Sequence, residues 1–303
     1  MVKKALKHPL EDINQNTLSN LIRTADRILS HRGGLTAGHH PSPTKSGQGI
    51  EFFDYREYVP GDDIRHVDWR LSQRQNRYYV AQYCDDTYND WYICLGNSAS
   101  MHIAGGEKWR LAMQLSAAYC YLLLHLGNRV GIAVYSDEIS HYYPFGRGTT
   151  HFSKILHLLC SIDSPSHEHT TKLNVCFKRS PKNGAAVIIS DFLHPDTVFN
   201  DLKTAYKRCN EVHTMQVLSE YETHLPHDTE LKLQDIENGE FKYLLGSASV
   251  QKQAKSNLES FLKRIEAHCL KLGFSHSFCH TDTHWNKTLI KHLVKYQNSN
   301  VGI

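Results

Sequence analysis

The sequence predicts an α/β fold, a mostly parallel central sheet with helices on both faces. Two patterns carry that reading. From Asp90 onward, short apolar runs such as "WYICLG" (91–96) and "AAVIIS" (185–190) alternate with longer stretches of helical period. The runs are apolar at nearly every position, as strands buried on both faces require. A third observation is bulk: 303 residues, 40% of them apolar and 21% charged, suffice for a full core in a globular chain.

The elements follow in order. Leu18, Leu21, Ile22, Ala25, Ile28 and Leu29 recur at helical spacing, and "HRGG" ends that helix with a basic turn and two glycines. Residues 33–49, dense in Gly, Ser, Pro and Thr, read as a long loop. After it comes an aromatic, highly charged segment closed by "RYYVAQYC", a strand. "WYICLG" is then a buried strand, Lys108 to Leu126 a helix, "RVGIAVYS" a strand, His151 to Leu159 a helix and "AAVIISDF" a second buried strand. Asp201 to Cys209 is helical, "EVHTMQVLS" a strand and "ELKLQDI" an alternating, edge-like strand. A helix over Leu258 to Leu272, the strand "GFSHSFCHT" and a helix from Trp285 to Tyr296 complete the chain. The expected division is an N-terminal part, 1–89, and an α/β domain, 90–303.

Charge and cysteine narrow the function classes. The net charge is +3, and twelve Lys/Arg balance twelve Asp/Glu over residues 1–90, which argues against a nucleic-acid partner held by phosphate neutralisation. Eight cysteines without a CxxC pair, several inside apolar runs, read as reduced, buried thiols of a cytoplasmic protein. "MVKKALKHPLEDINQ" lacks the apolar stretch of a secretory signal, and the apolar run Leu111 to Leu126 is short for a membrane span. No phosphate-binding loop, nucleophile elbow or His-Glu-x-x-His motif is present.

In parallel α/β sheets, sites form where strands end at their carboxyl termini, so the loops after "WYICL" and "AAVIIS" are where chemistry is sought. The first, "GNSASM", sets Ser98 and Ser100 two apart, and the second, "SDF", ends in Asp191. Two hydroxyls and a carboxylate could face one hard cation, or the serines could cap the following turn and Asp191 accept from backbone N–H groups. The pattern resembles a von Willebrand factor A domain, whose metal-ion-dependent adhesion site combines Asp-x-Ser-x-Ser, a threonine from a second loop and an aspartate from a third. By that resemblance Ser98, Ser100, Thr149 or Thr150, and Asp191 would form the ion site, with Gly96 where the first aspartate belongs. One carboxylate fewer implies a degenerate site with at most weakly bound Mg²⁺. An alternative is a metal-dependent hydrolase using Asp191 with nearby histidines. His276, Cys279, His280 and His284 are a further, weaker candidate metal cluster.

The segment between the loop and "RYYVAQYC" carries nine carboxylates and arginines from Glu51 to Arg70. Glu51, Arg56, Tyr58, Gly61, Asp62, Asp63, Arg65, Asp68, Trp69 and Arg70 stand at spacings similar to the signature of the bacterial family known as domain of unknown function 58. "DIENGE" (235–240) and "HTDTHW" (280–285) also resemble that family. The resemblance implies a non-enzymatic adaptor with a chaperone-like or assembly role, partnered with MoxR-type AAA+ ATPases and protein clients. Physically, Pro60-Gly61 is a turn pair, and the arginines can grip the carboxylates with two prongs. The segment is either an ion-pair and aromatic clasp tying the N-terminal arm to the α/β domain or a docking surface anchored by arginine and aromatic side chains.

Overall fold

The computed structural model describes residues 9–29, 51–75, 77–84, 90–102, 105–162, 172–180, 184–194, 197–219, 222, 231–234, 241–244 and 248–299. In chain order the elements are α1 (Gln15–Leu29), β1 (Glu51–Glu57), α2 (Trp69–Gln75), β2 (Tyr79–Cys84), β3 (Asp90–Gly96), α3 (Glu107–His125), β4 (Arg129–Tyr135), β5 (Ile139–Gly146) and α4 (Gly148–Cys160). There follow α5 (Asn174–Phe177), β6 (Ala185–Ser190), α6 (Val198–Arg208), β7 (Glu211–Leu218), β8 (Leu231–Gln234), β9 (Phe241–Leu244), α7 (Ala248–Lys271), β10 (Ser275–His280) and α8 (Trp285–Ser299). The chain forms two compact units, Met1–Ala37 with Asp90–Ile303, and Gly38–Asn89.

The larger unit is built on a six-stranded sheet in the order β10-β7-β6-β3-β4-β5, parallel throughout except for β5. The apolar runs sort by parity, as a strand buried on both faces demands. Trp91, Ile93, Leu95, Val187 and Ile189 pack on one face with α1, α3, α4 and α8. Tyr92, Cys94, Ala186 and Ile188 pack on the other with α5, α6 and α7. The expected α/β layering is thus observed.

Besides the short elements β1, α2, α5 and β9, which the sequence reading did not give, three features differ from it. The first concerns α1, expected to belong to an N-terminal part spanning 1–89. Its buried stripe of Leu18, Leu21, Ile22, Ala25 and Leu29 instead joins the core under α3 and α8, so the helix belongs to the larger unit. The second is β5, absent from the expected elements. It is a partly exposed edge strand holding Pro144, and it lacks the continuous apolar run that marks its neighbours. The third is β8, which pairs antiparallel with β9 in a separate two-stranded sheet. The long Gly- and Pro-rich loop lies outside the described residues.

A polar row crosses the apolar layer under α8. The Ser277 hydroxyl and His292 Nδ1 are 2.8 Å apart, His292 Nε2 and His213 Nδ1 2.8 Å, and His213 Nε2 and Glu211 Oε1 2.8 Å. The Tyr119 hydroxyl joins at His213 Nδ1, and both histidines are fully buried. With His213 Nε2 donating to Glu211, His213 Nδ1 is left as an acceptor whose one lone pair the Tyr119 hydroxyl and His292 Nε2 share.

Candidate functional site

Sheet order locates the site. The chain leaves β3 for β4 on one side and later returns to place β6 on the other, so the crevice beyond the carboxyl ends of β3 and β6 is the topological switch point. The loop after β3 enters it held by Asn97 N–H donating to the Tyr135 carbonyl at 2.7 Å. Ser98 is buried there, and its hydroxyl lies 2.8 Å from that of Ser100, which donates to Asp191 Oδ2 at 2.6 Å. Three of the residues expected to converge therefore do.

Thr149 does not. Gly146 of β5 pairs with Val130 near the start of β4, and His151 Nε2 lies 2.7 Å from the Val130 carbonyl. The antiparallel β5 has carried the chain back to the amino ends of the parallel strands, which puts exposed Thr149 and Thr150 at the edge of the sheet opposite Asp191. The expectation that either threonine completes the ion loop is corrected by that one unrecognised strand.

A lysine completes the cluster. Lys108, in the first turn of α3, donates from Nζ to Asp191 Oδ2 at 2.9 Å and also to Glu222 Oε1, with its side chain 1% exposed and that of Asp191 2%. Glu222 in turn accepts from Ser219 N–H at 2.8 Å through Oε2, and Asp191 Oδ1 accepts from Leu193 N–H at 3.3 Å. Burial alone would push Lys108 down, but Asp191 and Glu222 together raise it above the usual lysine value. Burial would likewise push Asp191 up, yet Lys108 and the Ser100 hydroxyl hold it below the usual carboxylate range. Both directions describe an ionised pair. The amino end of α3 carries the positive pole of its dipole, so an ammonium there depends on the two carboxylates facing it.

Two further features shape the site. A Cβ on Gly96 would lie 2.8 Å from Ser190 Oγ and 3.0 Å from Ser190 Cβ, so an aspartate at 96 requires Ser190 to move. Phe192, next to Asp191, has φ 56°, a left-handed conformation costly for a bulky residue. The donor set does not suit Mg²⁺, because the oxygen nearest the serines already accepts from an ammonium and a hydroxyl. Among the described residues, no group of three or more His, Cys, Asp or Glu side chains could hold a metal.

Neither Lys108 nor Glu222 was singled out from the sequence. Lys108 carried a usable signal: it lies three, four, seven and eleven residues before Leu111, Ala112, Leu115 and Tyr119, all buried, so helical spacing puts it on the core stripe. Glu222 carried none, being 114 positions away in sequence. The histidine and cysteine cluster disperses: His276 is buried with Nδ1 2.9 Å from the Thr214 hydroxyl, Cys279 is buried on the other strand face, and His280 and His284 are exposed.

The signature segment forms the smaller unit, with its described ion pairs closing inside it. β1 and β2 pair antiparallel. Between them, Val59 to Asp62 form a turn, Asp62 N–H donating to the Val59 carbonyl at 3.0 Å, and Gly61 supplies φ 111°. Asp62 accepts from the Arg56 guanidinium at 2.8 Å and from Val59 N–H at 2.9 Å. Asp63 caps a 3-10 turn over Ile64–His66 and is gripped by Arg65, whose guanidinium and backbone N–H hold its acid down to about 2. Asp68 caps α2, accepting from Arg70 and Leu71 N–H at 2.9 and 3.0 Å, and takes the Tyr55 hydroxyl at 2.7 Å. Arg77 pairs with Glu57. The side chain of Glu51 lies outside the described residues, and that of Arg70 is exposed.

Trp69 and Tyr78 do not share that inward role. Trp69 is 56% exposed and Tyr78 61%, their rings meeting edge-on with centroids 6.1 Å apart, while Tyr58 packs edge-on against Tyr78 at 6.4 Å. Val59 and Ile64 are also exposed.

Comparisons with known proteins accord with the signature. Residues 54–258 match the family model described as "Protein of unknown function DUF58", well over half of the chain, and the chain belongs to that family. It is 29% identical over 235 residues to uncharacterized proteins of Mycobacterium bovis and Mycobacterium tuberculosis, covering 75% of this chain and 74% of each relative. Among solved structures it is similar to the conserved hypothetical protein BatB from Bacteroides thetaiotaomicron, with a TM-score of 0.40 and 14% identity over 69% of this chain and 99% of that one. It is also similar to an aerotolerance-related membrane protein from Bacteroides fragilis, with a TM-score of 0.34 and 14% identity over 59% of this chain and 99% of the other. Among the described residues no helix is long and apolar enough to cross a membrane.

Proposed function

We propose that this member of the family is a cytoplasmic, non-enzymatic adaptor with a von Willebrand factor A-like larger unit, working with an AAA+ ATPase of the MoxR type on protein clients. The observation that carries the reading is the exposed Trp69–Tyr78 pair in a signature unit that also exposes Val59 and Ile64. Exposed aromatic and apolar side chains in one small unit, with an arginine as open as Arg65 at 86% of its side chain, have the composition of an interface hot spot. The signature acids leave that surface undisturbed because they are spent on caps and ion pairs within the unit. The resemblance supplies the nature of the partner, and the near-neutral charge supports a protein rather than a nucleic acid.

The test is affinity capture by the tagged full chain from the cytosol of its native host, with and without ATP and Mg²⁺. A Trp69→Ala/Tyr78→Ala variant of unchanged circular dichroism runs alongside. Recovery of a MoxR-type ATPase by the wild type and its loss with the variant is the expected result. Equal recovery with both would move the docking site elsewhere, and absence of the ATPase in every condition would overturn the adaptor reading.

A further inference from the structure

We propose that Lys108 is a built-in cation: its ammonium permanently takes the place that a divalent ion would occupy at the switch point, making the site independent of metal. The inference concerns the larger unit and does not rest on the choice of partner.

Three observations point the same way. Lys108 Nζ donates to Asp191 and Glu222, carboxylate oxygens of the kind a hard cation takes, and the Ser100 and Ser98 hydroxyls continue the cluster from the far side of Asp191. The space for a further carboxylate is closed, since a side chain at Gly96 runs into Ser190 within 3.0 Å. The threonine that would complete the ring is across the sheet. An ammonium is a single positive charge with three donors and needs fewer anionic partners than a divalent ion. Here two carboxylates face one lysine, and both carboxylates are also held by backbone or hydroxyl groups.

Charge balance gives the converse. Removing the ammonium leaves Asp191 and Glu222 facing each other without a counter-ion, next to two hydroxyls, which is an attractive arrangement for Mg²⁺ or Mn²⁺. A Lys108→Ala chain should thus acquire the metal site that the wild type lacks.

The experiment is Mn²⁺ titration of the EDTA-stripped full chain, followed by electron paramagnetic resonance, for wild type, Asp191→Asn, Lys108→Ala and Lys108→Ala/Asp191→Asn. The wild type should leave the free Mn²⁺ signal unchanged. Lys108→Ala should take up about one ion per chain, and the added Asp191→Asn should abolish uptake. If Lys108→Ala is unfolded without metal, its recovery of native circular dichroism in Mn²⁺ but not in matched NaCl is the equivalent positive result. Stoichiometric Mn²⁺ uptake by the wild type that disappears in Asp191→Asn would overturn the proposal. So would a Lys108→Ala chain that neither binds Mn²⁺ nor is refolded by it.

Discussion

Lys108 Nζ stands 2.9 Å from Asp191 Oδ2, with both side chains sealed from solvent and 83 residues of chain between them. A buried pair of this kind costs far more to break than to replace, because removing one member strands the other in a medium that cannot solvate it.

Asp191→Ala should accordingly destabilise the fold by about 3–5 kcal/mol in urea denaturation. Lys108→Met/Asp191→Leu should cost clearly less than the sum of the two single changes. Additive losses would show that the two residues do not act as a pair.

The pH dependence has a definite sign. Asp191 is held low, so its contribution is complete above an unfolded value of about 3.9 and is lost as pH falls through the lower folded value. Lys108 is held high, so its contribution is complete below about 10.4 and is lost as pH rises through the higher folded value. The stability difference between wild type and the double variant should be flat from about pH 5 to about pH 9 and shrink outside that window. His276 adds a separate slope: burial pushes it down to about 4, so the unfolded chain binds its proton more readily and stability should rise with pH from there to about 6.5. A His276→Gln chain, measured across the same range, should show a shallower rise.

Gly96→Asp, which restores the aspartate of the adhesion-site pattern, should destabilise by about 1–3 kcal/mol through contact with Ser190. Adding Ser190→Gly should recover part of that loss in thermal or chemical denaturation. A fully stable Gly96→Asp chain would show that Ser190 yields without cost.

Asp68→Ala should loosen the smaller unit locally. The amides of Arg70 and Leu71 lose their acceptor and the Tyr55 hydroxyl its partner, so deuterium exchange at 70 and 71 should accelerate while that of Ile93 and Ile188 in the large sheet stays slow. Unchanged exchange at those two amides would mean that the cap contributes nothing to α2.

Much of the fold was legible because its strands announce themselves. β3 and β6 are apolar from face to face, and the helices between them keep a helical period. β5 was not, since an edge strand with one exposed side and a proline carries neither pattern. That omission had a consequence for the site: without β5 the chain would reach α4 at the carboxyl edge, and Thr149 would fall on the wrong side of the sheet. Ser98, Ser100 and Asp191 were readable from strand ends, whereas Glu222 is joined to Lys108 by tertiary packing alone. In the signature, the acids could be read as caps and ion-pair partners. Which aromatic rings stay open to solvent depends on how β1 and β2 pair.

The row from Ser277 through His292 and His213 to Glu211 bears on how strand β10 finds its alignment. An edge strand held mainly by apolar contact can shift along its neighbour at modest cost, and such slippage exposes the wrong face. A one-residue shift here would present His276 or Phe278 to His292 in place of Ser277, leaving a buried imidazole without its hydroxyl and breaking a chain of contacts that reaches Glu211. Those side chains act as a key that only one alignment of the last strand can turn.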